Sequence, residues 1–339
     1  MIAQLNKKYI FTKPSKVFPR LLSYFFYEGR PATTKGRWFN PVTFLALRSA
    51  SKKVVNPQAE SPVFITGTGR SGSTMLGLVL SMHPEVGFLN EPKALWFSAN
   101  ANDDIIGSYS DGPADYIMNA SKATTEIGRK VKAIYSSFLQ RSASRRIVDK
   151  FPEMIFRIEY LNALFADAKY IFLYRNPWET IASTAIWSSR RGNTGKGENW
   201  WGVNDRKWKL LLEQVVPGDE MLGSHQRTIA ALTSQPDKAA VEWILTMNYG
   251  MKMLQRYPKK ILAVKYEHLC SNPEKILQEI CDFSGLTKDS EFLSFGDSVI
   301  KAAPDKSEPK IHDVLHDAIN EISEKLGYRI QSPSMSVTE

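Results

Sequence analysis

The sequence predicts an α/β fold in three layers, a central parallel sheet flanked by helices, and three observations carry that expectation. Short apolar, β-branched runs alternate with stretches of helical periodicity along most of the chain. The run Tyr170-Ile171-Phe172-Leu173-Tyr174 is apolar without a break, as in strands covered on both faces. A glycine-rich turn, Gly67 to Gly72, lies between one such run and a helical stretch. Parallel strands require right-handed crossovers, and ligands of such sheets bind at the carboxyl ends of the strands.

Taken in order, residues 1–60 read as an N-terminal extension or strap. Within them, Lys13 to Arg30 mixes basic residues with Phe18, Leu21, Leu22, Phe25 and Phe26. Its first reading is a strap packed on the core, and its second is contact with a membrane surface. The apolar stretch Leu21 to Tyr27 is far shorter than the roughly 20 residues of a membrane span, and no signal-peptide cleavage pattern follows it. Pro62 to Thr66 is the first strand, and Ser73 to Met82 the first helix of the sheet region, periodic through Met75, Leu76, Val79 and Leu80. Strands follow at Val86 to Leu89, Arg146 to Asp149, Tyr170 to Tyr174 and Ile261 to Val264. Helices are expected over Glu153 to Phe165, from Pro177 onward, from Pro273 to a capping Gly285, and over Ile311 to Leu326. Residues 188–235 break this pattern and hold Trp200, Trp201 and Trp208. A long irregular insertion of this kind suits a binding region, here the acceptor side of a site. Residues 331–339 read as a flexible tail.

With 339 residues, 43% of them hydrophobic and 23% charged, the chain is neither a disulfide-stapled miniprotein nor a disordered or fibrous one. Its 44 basic residues exceed 35 acidic ones by 9, which favours anionic ligands. Cys270 and Cys281 match no zinc or redox spacing and fit a reducing, cytoplasmic compartment. The five histidines form no ligand cluster, so no metal site is expected.

The loop Gly67-Thr68-Gly69-Arg70-Ser71-Gly72-Ser73-Thr74 follows a strand and opens a helix, where backbone N–H groups can cradle a phosphate. The spacing from Gly67 to Gly72 is that of a nucleotide P-loop, so the topology expected is P-loop-like. Ser73, however, stands where the phosphate-binding lysine would be, and the cation sits inside the loop as Arg70. The strand ending at Tyr174 runs into Arg175-Asn176-Pro177 rather than a magnesium-binding aspartate. Both departures weigh against a kinase or NTPase and point to an anion held by direct charge. Ser183, two turns into the helix after Arg175, could reach the same phosphate as that arginine.

These residues resemble the sulfotransferases that use 3′-phosphoadenosine 5′-phosphosulfate (PAPS). Arg70-Ser71-Gly72-Ser73-Thr74 is similar to the loop that binds the 5′-phosphosulfate in that family, and Arg175 with Ser183 to the pair that binds the 3′-phosphate. Lys150, before Phe151-Pro152, resembles the family's lysine at the leaving oxygen, and Tyr266-Glu267-His268-Leu269 the segment whose tyrosine approaches the adenine. The resemblance covers roughly Pro62 to Leu286 without the insertion, and it implies a sulfotransferase domain over 61–330. It implies donor contacts from Gly69 to Thr74 and catalytic roles for Arg70 and Lys150. The histidine base of the cytosolic branch is replaced by Pro152. In the carbohydrate and tyrosylprotein branches the base is a glutamate similarly placed to Glu91, which makes Glu91 the expected base. A further cation for the 3′-phosphate is expected among Lys301, Lys306 and Lys310.

Tryptophans interleaved with glycine, arginine and lysine suit stacking on sugar rings, so the expected acceptor is a glycan or glycolipid hydroxyl. The segment from the loop to Glu91 resembles the tyrosylprotein branch equally, which leaves peptide tyrosine open. The competing classes are a P-loop kinase or NTPase and a non-enzymatic polyanion binder; no nucleic-acid partner is expected.

Overall fold

The computed structural model describes residues 2–30, 35–52, 61–192, 200–304 and 306–328. The tail expected at 331–339 and residues 193–199 of the insertion lie outside the described residues. Five parallel strands form one sheet: β1 Val63–Gly67, β2 Val86–Asn90, β3 Arg146–Lys150, β4 Lys169–Tyr174 and β5 Ile261–Lys265. Their order is β2-β3-β1-β4-β5, which sets the loop leaving β1 at the middle of the carboxyl edge. All five lie within a residue or two of the runs legible in the sequence.

Side chains alternate across the sheet and build a core on each face. Phe64, Leu89, Ile147, Tyr170 and Phe172 point to one side, under the helices α1 Val17–Phe26, α2 Asn40–Lys52, α4 Lys93–Ala99, α5 Thr125–Arg141, α6 Ile158–Leu164 and α8 Gln235–Arg256. Val63, Ile65, Val86, Val148, Ile171 and Leu173 point to the other, under α3 Ser73–Leu80, α9 Pro273–Ser284 and α10 Ser290–Val299. Between β4 and α8 runs α7 Pro177–Gly192, and α11 His316–Lys325 ends the described fold. Gly285 closes α9 in the left-handed conformation (φ 65°), as its C-cap position demands.

One expected helix is two. The stretch from Glu153 to Phe165 divides into a 3₁₀ segment Pro152–Arg157 and α6, because Arg157 leaves helical geometry at φ −131°. That departure buries its guanidinium, which pairs with Asp103 at 2.8 Å and donates to the carbonyl of Asp115 at 2.8 Å.

Residues from 2–30 and 35–52 join the same core. Leu22 and Tyr27, from α1 and the turn after it, and Leu47 and Ala50 of α2 join the cluster around Phe64 and Trp96. Lys16 reaches under the chain to donate to the carbonyls of Pro84 and Val86, each at 3.0 Å. Arg20 is buried against Glu28 and donates to the carbonyl of Ala3 at 3.1 Å. Residues 13–30 are therefore a strap across the edge beside β2, with Phe18 left outside. No helix among the described residues is long and apolar enough to cross a membrane.

Candidate active site

The loop and four of the other residues singled out for chemistry stand at or just beyond the carboxyl ends of the strands, while Ser183 lies within α7. The loop follows β1, Glu91 follows β2, Lys150 ends β3, Arg175 follows β4 and Tyr266 follows β5. Ile65 and Asn90 are both in register with Lys150, so the loop, the glutamate and the lysine come from three adjacent strands.

The loop is an open cradle. Gly67, Arg70 and Gly72 adopt positive φ of 134°, 66° and 92°. A side chain at Gly72 would bring a Cβ to 2.6 Å from the Tyr266 ring, so only glycine fits there. Ser71 Oγ donates to the carbonyl of Thr68 at 2.7 Å and closes the turn. Gly72 caps α3 with no side chain, which leaves the first N–H groups of the helix directed at the loop.

Cations converge on this loop. Arg70 Nε donates to Ser183 Oγ at 3.1 Å, and Arg175 Nη1 donates to the carbonyl of Arg70 at 3.4 Å. Arg175 is 6% exposed, pairs through Nη2 with Glu179 at 2.9 Å, and lies 4.4 Å from the centre of the Tyr266 ring. Burial and the charge of Arg175 lower the pKa of Arg70, with Glu91 opposing. The Nε of Arg175 and the hydroxyl of Thr68 are buried and have no hydrogen-bond partner among the described residues. Like charges close together with donors unspent suit the binding of an anion.

Of the three lysines expected near it, Lys306 is the one brought close. Its N–H donates to Glu179 at 2.7 Å, and its ammonium is depressed by burial and by Arg175. Lys301 and Lys310 are exposed. The hydroxyl of Tyr266 accepts from the N–H of Ala303 at 3.1 Å, which ties the same segment to the loop's wall.

On the other side of the loop, Lys150 is 1% exposed and forms an ion pair with Glu91. Asp149 faces the opposite side of β3, where it accepts from Trp96 at 3.0 Å and Tyr135 at 2.6 Å, and burial pushes its carboxyl up to about 7. Glu153 is taken by Lys207 at 2.7 Å, which also pairs with Glu242 at 2.5 Å. Glu91 holds a left-handed backbone (φ 47°), uncommon for a residue other than glycine, pinned by its N–H donating to the carbonyl of Lys150 at 2.6 Å. Burial would raise its pKa, but Lys150 and then Lys93, 3.5 Å away, outweigh it and hold the carboxyl down to about 2.

Glu91 and Thr74 line a cavity of about 360 Å³ together with Asn90 and Lys93. Its far wall comes from the N-terminal segment, with Gln4, Tyr24, Glu28 and Arg30, and from Tyr109. None of these wall residues was singled out in the sequence, and no local motif marks them. The tryptophans of the insertion are placed differently from expectation. Trp201 and Trp208 are buried in the core, while the ring of Trp200 lies against Gly69 and its Nε1 donates to Glu242 at 2.6 Å. The apolar area of Trp201 and Trp208 is spent on packing, and Trp200 is half-buried. Among the described residues no group of three His, Cys, Asp or Glu side chains could hold a metal ion.

Residues 62–290 match the model of the sulfotransferase family. The nodulation protein NoeE of Sinorhizobium fredii (strain NBRC 101917 / NGR234) is 26% identical over 241 residues, 68% of this chain and 51% of that protein. Protein-tyrosine sulfotransferase A of Caenorhabditis elegans is 23% identical over 237 residues, again 68% and 51%. The chain thus spans about half the length of the curated relatives it matches. In fold it is similar to the sulfotransferase domain from the curacin biosynthetic pathway, with a TM-score of 0.50 at 17% identity over 80% of this chain and 99% of that one. With two thirds of its length matched by the family model, and the loop, Glu91, Lys150, Arg175 and Tyr266 all inside the match, the chain belongs to the sulfotransferase family.

Proposed function

We propose that the protein moves the sulfuryl group of PAPS to a hydroxyl of a glycan or glycolipid by direct in-line transfer. The observation that carries this reading is the Glu91–Lys150 pair, one member buried at the loop's edge and the other lining the cavity beside Thr74. The donor fits the residues at hand. Arg175, with its unspent Nε, and Ser183 would take the 3′-phosphate, with Lys306 as the added cation. Gly69, Arg70, Ser71, Gly72, Ser73 and Thr74 would hold the 5′-phosphosulfate through loop N–H groups and the Arg70 guanidinium. Tyr266 would border the adenine. The donor supplies an activated sulfuryl group on a phosphate leaving group.

The chain's residues then have separate tasks. Glu91 accepts the proton of the acceptor hydroxyl as the new O–S bond forms. Lys150 and Arg70 neutralise the bridging oxygen as its bond to sulfur breaks, and the electron pair leaves with the nucleotide phosphate. A carboxyl held at about 2 is a weak base. The phosphosulfate offers Lys150 a competing anion, and as the ammonium turns to it, burial raises the basicity of Glu91. The same event therefore readies both groups.

For the acceptor, a cavity with Tyr24 and Tyr109 beside Glu28, Asn90 and Lys93 suits a sugar, whose apolar faces pack on rings while its hydroxyls find polar partners. The second reading, transfer to a protein tyrosine, is favoured by the likeness to the nematode enzyme and by Arg30 and Lys93, which would suit an acidic peptide. The test is calorimetric titration in EDTA with 3′-phosphoadenosine 5′-phosphate (PAP), ATP and 5′-AMP, followed by acceptor screening with glycans, glycolipids and tyrosine peptides. Micromolar PAP binding that needs the 3′-phosphate, and sulfated sugar products, are expected. ATP preferred over PAP would overturn the donor, and sulfated peptide alone would overturn the acceptor.

A further inference from the structure

The net charge of this chain is not spread over it. Residues 1–60 hold eleven of the 44 basic residues and two of the 35 acidic ones, so the whole excess of 9 lies there. The remaining 279 residues carry 33 of each sign. Exposed apolar side chains are concentrated in the same place. Among the described residues, seven of the eight large hydrophobics left in solvent lie between Ile2 and Leu45, the exception being Ile186.

The feature is sharpest on α2 and the turn that feeds it. Trp38, Val42 and Leu45 are 77%, 43% and 69% exposed and recur at helical spacing, while Thr43, Leu47 and Ala50 turn inward. Further along the exposed side stand Arg48 and Lys52, and the helix contains no acidic residue. Thr43 Oγ1 donates to the carbonyl of Phe25 at 2.8 Å, and Phe39 packs on Phe25 and Phe26, so α2 is fixed to α1. The strap that contains α1 also supplies Tyr24, Glu28 and Arg30 to the cavity. These contacts therefore tie the exposed stripe to the segment that forms the cavity wall.

We infer that the outer face of α2, with Trp38, Val42 and Leu45 inserted and Arg48 and Lys52 against head groups, docks the enzyme on an anionic lipid surface. Apolar side chains would enter the acyl boundary while the positive charge of a helix without acidic residues draws the segment to negative lipids. A soluble polyanion would satisfy the charge but leave the tryptophan and leucine in water. Docking through this face holds the cavity wall close to the membrane, where the hydroxyl of a lipid-borne acceptor is presented.

The test uses the full chain and vesicles of phosphatidylcholine, alone or mixed equally with phosphatidylglycerol, in a sedimentation assay at low and high salt. Binding to the mixed vesicles is expected, weaker by on the order of tenfold on neutral ones and falling as salt rises. The double variant Trp38→Ser with Leu45→Ser is expected to lose about tenfold on the mixed vesicles. Because both side chains are exposed, its urea midpoint stays that of the wild type. No binding to mixed vesicles, equal binding to neutral ones, or an unchanged double variant would each overturn the inference. Full suppression by dextran sulfate with the double variant unaffected would identify a polyanion site instead. No arm measures transfer, so the proposed function stands or falls separately.

Discussion

Replacing Lys150 with methionine keeps the bulk of a side chain that is 1% exposed and removes the charge paired with Glu91. In the wild type that carboxyl is held at about 2 against an ordinary 4.5. At 1.36 kcal/mol per pKa unit this amounts to roughly 3 kcal/mol, and because the Glu91 side chain is 38% exposed, solvent screening reduces it to about 1–2 kcal/mol. The folded value lies below the unfolded one. The contribution is therefore present above pH 4.5 and lost as the pH falls toward 2. Without Lys150, burial acts on Glu91 against Lys93 and the more weakly acting Lys207, and the titration moves up. Urea unfolding of both proteins, followed by tryptophan emission across this range, reads the difference directly. The variant should be less stable than the wild type by about 1–2 kcal/mol more near neutral pH than near pH 2. A difference that does not change with pH would refute the coupling, and with it the idea that Lys150 sets the basicity of Glu91.

Three further outcomes follow from the site. Arg175→Ala should weaken PAP binding by about 10- to 100-fold in calorimetry, since a charged donor to phosphate is removed while the backbone carbonyl of Arg175, accepting from Trp243 at 3.1 Å, is untouched. Glu91→Gln should leave PAP affinity near that of the wild type and lower turnover by on the order of 10² to 10⁴, as measured by transfer of labelled sulfate. Gly72→Ala should cost about 1–2 kcal/mol for its positive φ, with a further loss of PAP affinity as the Tyr266 ring is displaced, both visible in urea unfolding with and without PAP.

Much of this arrangement was legible because it is local. A strand announces itself in five or six consecutive residues, and a parallel sheet delivers whatever follows each strand to a single edge. Glu91, Lys150, Arg175 and Tyr266 could thus be placed together before any contact was known. The partner of Lys150 was legible too, in hindsight. Asp149 precedes it in a strand and must face the other side, which leaves a residue from the adjacent strand. What local pattern could not reveal was contact at long range. Gln4 and Glu28 meet Thr74 and Glu91 across the cavity although they lie between 46 and 87 positions apart in the chain. Nothing in the spacing of an N-terminal strap encodes that meeting. The tryptophans misled for a related reason: an indole among glycines and basic residues looks the same whether it awaits a sugar or, like Trp201, is fully packed.

Trp200 differs from its neighbours in one respect. Its ring rests on Gly69, and its N–H is tied to Glu242, which shares Lys207 with Glu153. Any rearrangement of the phosphate loop must slide along an indole face, and any change in that carboxylate network must tug its nitrogen. The chain carries its own chromophore beside the loop proposed to hold the donor, so binding of a nucleotide there should change ultraviolet emission without a label.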